Sequence, residues 1–248
     1  MEENSELSDL TGTREPQYQA LFDAASQHGV SSLGIMVNQS WNQDPKRTLF
    51  TLARYKFVAK MLKGMETVLE IGCGDAFGTR LVQQTVEQVT AVDFDPVFIA
   101  DIESRSNPHW PLVSLVHDLL EGPVEGNFDA IYSLDVLEHI PPDQEDRFIR
   151  NSIQPLTDSG VAIFGMPSLE SQQYASVQSR EGHVNCKTGD EFSDVMKGYF
   201  QNVFMFSMND ELVHTGFHPM AHYLLALCCG KTAGPFTTTL SIDLDGAK

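Results

Sequence analysis

The stretch Thr67-Val-Leu-Glu-Ile-Gly-Cys-Gly-Asp-Ala-Phe-Gly78 constrains this chain more than any other, because it reads as a buried strand breaking into a glycine turn at the mouth of a helix. Val68, Leu69 and Ile71 suit a strand covered on both faces. Gly72 and Gly74 let the backbone approach a ligand closely, and residues 79–84 can continue as helix. In an α/β sheet this is where a nucleotide-like cofactor binds. A dinucleotide fingerprint, Gly-x-Gly-x-x-Gly/Ala, would need a small residue where Phe77 stands. NAD and FAD therefore lose ground. Glu70, two residues ahead of the first glycine, would repel a phosphate but attract a ligand carrying an ammonium and a sulfonium.

Glu70-x-Gly72-x-Gly74, followed by Ala91-Val-Asp-Phe-Asp95, resembles the class I S-adenosylmethionine-dependent methyltransferases, with Ala76 where the family often has a third glycine. Asp93 follows an apolar run about twenty residues past the turn, where an acid accepts hydrogen bonds from ribose hydroxyls. Residues 113–116 read as a third strand ending at His117-Asp118-Leu119, the place where similar enzymes contact adenine with an acid and a backbone amide. Residues 128–140 supply a fourth strand and the Leu137-Glu-His139 stretch common in the branch working on small molecules, glycans and lipid precursors. The resemblance implies a Rossmann-like, seven-stranded methyltransferase fold, mostly parallel with a final antiparallel strand. It implies S-adenosylmethionine as cofactor and S-adenosylhomocysteine as product. Glu70, Gly72, Cys73, Gly74, Asp93, Phe94, Asp118, Leu119 and Leu134 are then the cofactor-binding residues, Cys73 through its backbone and Phe94 over adenine.

The remaining pattern divides the chain into an N-terminal arm and cofactor or substrate lid over 1–47, a methyltransferase domain over 48–230, and a flexible tail over 231–248. Residues 18–27 suit a short helix, and 48–62 a longer one with Leu49, Leu52, Tyr55, Val58 and Ala59 near one face. No regular periodicity marks 33–47. Pro141-Pro-Asp143 opens a helix to about 154, and Thr157-Asp-Ser-Gly160 turns the chain into a strand over 161–166. Five strand-helix alternations make a parallel sheet the economical topology. Residues 201–208 and 222–227 look like the closing strand pair.

Charge bears on the acceptor. The chain has 34 acidic against 16 basic residues, a formal charge of -18, which opposes a polyanion. Lys46, Arg47, Arg54, Lys56, Lys60 and Lys63 form the only basic concentration and space as a solvated helix face. Nucleic acid is thus an unfavoured substrate. There is no apolar run long enough to span a bilayer and no signal-peptide pattern, so the expected location is cytoplasmic. Cys73, Cys186, Cys228 and Cys229 lack metal or disulfide spacing.

The long stretch about 167–190, leaving the carboxyl end of the fifth strand, is the natural acceptor-side insertion. In the branch resembled, a His-x-Asn element precedes a Thr-x-x-Glu/Asp helix start, matched by His183-Val-Asn185 and Thr188-Gly-Asp-Glu191. His183 is the first candidate for a general base and His139 the second. Trp41, Tyr55, Tyr174, His214 and His218 are candidate acceptor contacts, with Arg54 as a further lining residue. His214, His218 and His222 recur every fourth residue, but Gly216 and Pro219 oppose the helix that would align them, and no metal is expected. The expected function is methyl transfer to an oxygen, or less readily a nitrogen, of a small-molecule or glycan-type acceptor. The alternative is a regulatory or scaffold protein that binds S-adenosylmethionine or a nucleoside without turnover.

Overall fold

A computed structural model describes residues 13–232. The N-terminal arm up to residue 12 and the tail from 233 lie outside the described residues. Three helices come first: α1 (Gln19–His28), α2 (Ile35–Gln43) and α3 (Pro45–Met61). Then follow β1 (Thr67–Ile71), α4 (Thr79–Gln83), β2 (Gln88–Asp93), α5 (Pro96–Ser104), β3 (Val113–Val116) and β4 (Phe128–Leu134). After α6 (Glu145–Ile153) and β5 (Leu156–Pro167), α7 (Val177–Gly182) and α8 (Gly189–Lys197) lead to β6 (Phe200–Asn209), β7 (Leu212–His214) and β8 (Tyr223–Lys231).

The strands form one sheet in the order β3-β2-β1-β4-β5-β8-β6-β7. β1 to β5 are parallel, while β8 runs antiparallel to both β5 and β6. The order reverses between β1 and β4, so the crevice outside their carboxyl ends is the topological switch point where such sheets bind ligands. Eight strands replace the seven expected, because β7 folds back on the end of β6 as a three-residue edge piece.

Alternation along β1 divides the core. Leu69 and Ile71 pack with Phe148 and Ile149 of α6 and Phe192 of α8. Val68 packs with Tyr55 and Val58 of α3 and Val82 of α4. Glu70 shares the parity of Val68, which sends its carboxylate toward α3 and α4.

Other differences from the sequence reading are local. Residues 35–43 are helical, although only Val37 of that helix is buried. Its start is fixed from other segments: the Val37 amide donates to Asp75 Oδ2 at 2.8 Å and the Ile35 amide to Asp101 Oδ2 at 3.3 Å. Residues 157–160 do not turn into a strand but lie within β5, as an irregularity between the pairs Phe128–Leu156 and Ala130–Val161. β3 reaches β4 with no helix between them. α6 begins only at Glu145. No helix among the described residues is long and apolar enough to cross a membrane.

Candidate active site

Two adjoining cavities open at the switch point. One, of about 530 Å3, is walled by Asp93, Phe94, Asp118 and Leu119. The other, of about 400 Å3, is walled by Cys73, Leu134, Arg54, Glu138 and His183. Gly72, Gly74, Met36, Asp135 and His139 belong to both and form the passage between them. Their combined size suits a drug-sized ligand lying across the ends of β1 and β4.

The glycines are required by contact as well as by conformation. Gly72 has φ +73°, and a Cβ there would sit 2.2 Å from Val136 Cγ2. Gly74 has φ +51°, and its Cβ would meet Met36 Sδ at 2.6 Å. Ala76, at φ 51°, adopts the left-handed conformation that the family's glycine would take without strain. The turn is clamped from β2: the Gly74 amide donates to Asp93 Oδ2 at 2.9 Å and the Asp95 amide to Oδ1 at 3.0 Å. Each carboxylate oxygen retains accepting capacity, so Asp93 can hold the turn and still receive ribose hydroxyls.

Glu70 lies elsewhere than expected. It is 1% exposed, lines neither cavity, and has both oxygens occupied, Oε1 by the Tyr55 hydroxyl at 2.8 Å and Oε2 by the Thr79 hydroxyl at 2.6 Å. Burial pushes its carboxyl up to about 7, against the lowering effect of these hydrogen bonds. Glu70 therefore ties α3 and α4 to β1 beneath the turn. Tyr55, expected as an acceptor contact, is committed to that tie, although its ring lines the second cavity. Arg54 is likewise spent inside the wall. Its Nη1 donates to both oxygens of Asp135 at 2.7 Å, and its guanidinium lies 3.8 Å from the centre of the Tyr223 ring. This bridge seats Asp135, at φ 58°, directly after β4.

On the acceptor side, the short turn Leu137–His139 carries Glu138 and His139, and the insertion brings His183 against them. The two imidazoles meet edge to face with ring centres 5.0 Å apart. Asn185 shows why the His-x-Asn spacing matters. Its amide donates to the Glu138 carbonyl at 3.0 Å and its side chain to Glu145 Oε2 at 2.7 Å, so it anchors the insertion while His183 faces the cavity. Thr188 and Glu191 form the expected capping box at the start of α8. Burial and the neighbouring His139 lower the His183 pKa, favouring the neutral ring. Burial, followed by the nearby Asp135 charge, raises the Glu138 carboxyl well above the carboxylate range.

Four of the expected acceptor contacts are not part of this wall. Trp41 lies on the outer side of α2, 55% exposed, and Tyr174 is 84% exposed. Their positions follow from helices that present only a few residues to the crevice, here Met36, Val37 and Ser40 from α2. His214 is held by Asn209 Oδ1 at 2.8 Å and by the Gly216 amide at 2.9 Å, while His218 is bonded to the Ser207 hydroxyl at 2.8 Å. Both rings pin the β6–β8 connection. The sequence reading had not singled out Glu138 as a site residue, although it stands beside His139 in the motif, nor Met36 and Asp75. Asp75 reaches the crevice as part of the glycine turn itself, and Met36 through tertiary contacts that carry no local pattern.

This sheet order with a glycine turn at its switch point defines a class I methyltransferase fold. Residues 68–160 match the family model described as a methyltransferase domain. A probable S-adenosylmethionine-dependent methyltransferase of Mycobacterium tuberculosis is 32% identical over 103 residues, covering 41% of this chain and 35% of that one. A ubiquinone biosynthesis O-methyltransferase of Xanthomonas campestris is 28% identical, covering 51% and 56%. The chain thus spans about a third to a half of the length of these curated relatives. In fold it is similar to the N-methyltransferase NodS of Bradyrhizobium japonicum in complex with S-adenosylhomocysteine, with a TM-score of 0.55 at 20% identity, over 77% of this chain and 91% of that one. The fold is that of the class I methyltransferases, residues 68–160 carry the similarity to the methyltransferase domain, and the cofactor to which the relatives and the bound neighbour point is S-adenosylmethionine.

Proposed function

We propose that this chain transfers a methyl group from S-adenosylmethionine to a hydroxyl oxygen of a small-molecule or glycan-type acceptor. The cofactor supplies a methyl already activated by its sulfonium, which leaves the protein the work of alignment and of taking up the acceptor's proton. In this reading Asp93 receives the ribose hydroxyls, Phe94, Asp118 and Leu119 border the adenine, and Gly72, Cys73, Gly74 and Leu134 border the methionine end. Residues of the N-terminal lid, Met36 above all, cover the passage.

The observation that carries the oxygen acceptor is the convergence of His139, His183 and Glu138 on the cavity that adjoins the glycine turn. A hydroxyl must lose a proton on methylation, and neutral imidazole takes protons near physiological pH. The relatives' names divide between oxygen and nitrogen acceptors, and the imidazoles beside the turn support the oxygen reading. A formal charge of -18 opposes a polyanionic acceptor.

The test is S-adenosylhomocysteine release on incubation with S-adenosylmethionine and fractionated hydroxylated metabolites, with bulk RNA in parallel. His183→Ala should lower turnover by roughly 10²–10⁴-fold and leave S-adenosylhomocysteine affinity nearly intact. Methyl incorporation into RNA with a steep salt dependence would overturn the small-acceptor reading.

A further inference from the structure

Glu138 is a buried carboxylate in the cavity wall that no side chain bonds directly, its nearest cationic influence being Arg54, which is already committed to Asp135. Its side chain is 1% exposed, and neither carboxylate oxygen has a hydrogen-bond partner. An unpaired buried carboxylate is costly, and proteins offset it with a hydrogen-bond donor or a cation. What faces Glu138 is a pair of imidazoles: ligand atoms of Glu138, His139 and His183 lie within 4.8 Å of one another.

The ring orientations say which nitrogens are available. His139 Nδ1 lies 2.9 Å from the Gly182 carbonyl, an obligate acceptor, so that nitrogen carries the proton. His183 Nδ1 lies 2.9 Å from Gln172 Oε1, while the Gln172 amide nitrogen points at the Ser168 carbonyl at 3.2 Å. In the neutral rings both Nε2 lone pairs are therefore free. His139 Nε2 stands 4.0 Å from Glu138 Oε1, too far for a direct hydrogen bond. Imidazoles held by Nδ1–H···O=C contacts beside a carboxylate are the outer-shell arrangement of metal-ligating histidines. Asp135, three residues earlier, is not a fourth ligand, because Arg54 holds both of its oxygens.

We propose that Glu138, His139 and His183 bind one divalent transition-metal ion through a carboxylate oxygen and two Nε2 atoms. Two histidines and one carboxylate suit such an ion and leave coordination positions open. The role of the ion rests on the methyl-transfer reading: an acceptor hydroxyl would enter an open position. There its O–H bond breaks, the electron pair stays on oxygen, and the proton passes to water. With the ion bound, the three side chains serve as ligands and the ion takes over the work of easing the proton off the acceptor; the base role given to His183 above is that of the ion-free chain.

The test uses the full chain stripped with a chelator and dialysed, titrated by calorimetry with Zn2+ and separately with Mn2+. S-adenosylhomocysteine is titrated into the same stripped sample. One saturable equivalent of at least one ion is expected. Glu138→Gln, which keeps the shape, and His183→Ala should each weaken ion binding by about 10–100-fold. S-adenosylhomocysteine affinity should stay within about twofold in both variants. Two variants are used so that a folding defect in one cannot mimic the result. Absence of saturable ion binding in wild type, or unchanged ion affinity in a folded Glu138→Gln variant, would overturn the metal site. If wild type then still binds S-adenosylhomocysteine, only the metal proposal falls; loss of both ligands removes the methyl-transfer reading as well.

Discussion

Gly72→Ala tests the architecture of the cofactor turn at its tightest point. Two separate costs can be assigned. The backbone at φ +73° is left-handed, and a side chain there costs about 1–2 kcal/mol. The new methyl would lie 2.2 Å from Val136 Cγ2, a contact that one of the two must relieve by moving, at about 1–3 kcal/mol for overpacking. The sum is roughly 2–5 kcal/mol of unfolding free energy. Val136→Ala removes the clashing methyls but not the backbone strain. A double-mutant cycle should therefore return only the overpacking part, a coupling of about 1–3 kcal/mol that makes the double variant less unstable than the sum of the singles. Urea denaturation of the four proteins measures this, and calorimetry with S-adenosylhomocysteine reports the turn's shape. A Gly72→Ala loss below about 0.5 kcal/mol, within the range of an ordinary surface substitution, would refute this geometry. So would additive single variants.

Three further outcomes follow from the same site. Ala76→Gly should raise stability by about 0.5–1 kcal/mol, less than the full strain because glycine also frees the unfolded chain; a destabilised variant would remove the left-handed assignment. Glu70 binds its proton more tightly folded, near 7, than its ordinary value of 4.5, so its contribution favours the folded state at low pH and is lost as pH rises from about 4.5 through 7. Over that window wild type should lose on the order of 3 kcal/mol relative to Glu70→Gln, and parallel stability profiles for the two proteins would contradict the burial of that carboxyl. Asp93→Ala should weaken S-adenosylhomocysteine binding by roughly 1–3 kcal/mol and also lower the melting temperature, since the amides of Gly74 and Asp95 lose their acceptor; unchanged affinity by calorimetry would take Asp93 out of the site.

Which parts of this were legible in the sequence follows from the range of the forces involved. The strand-turn-helix at 67–83 is encoded locally, by apolar residues for a doubly covered strand and by glycines at the two positions where contact and φ demand them. The capping box at Thr188 is local too, and the sequence reading located it. By contrast, α2 has one buried residue, and the acids that hold its start come from 38 and 66 positions away in the chain, so no periodicity could announce it. Glu70 was a visible acid, but strand parity alone could not say that Tyr55 and Thr79 would occupy both of its oxygens. His183 and His139 were singled out from motif positions, whereas His214 and His218 were chosen for a loop expected at the cofactor's edge of the sheet. The structure brings the first pair to one cavity and spends the second on the β6–β8 connection. The irregularity at 157–160 reads as a turn because its composition is that of a turn, yet β4 pairs with Leu156 before it and with Val161 after it and keeps it in the strand.

Calorimetric titration of the wild-type chain with S-adenosylhomocysteine, with NAD as the control, tests the central claim most directly. One equivalent of S-adenosylhomocysteine should bind and raise the melting temperature by mass action, with no measurable heat from NAD. Binding of NAD with equal strength, or failure of S-adenosylhomocysteine to saturate a single site in a folded sample, would contradict the assignment of the crevice between β1 and β4.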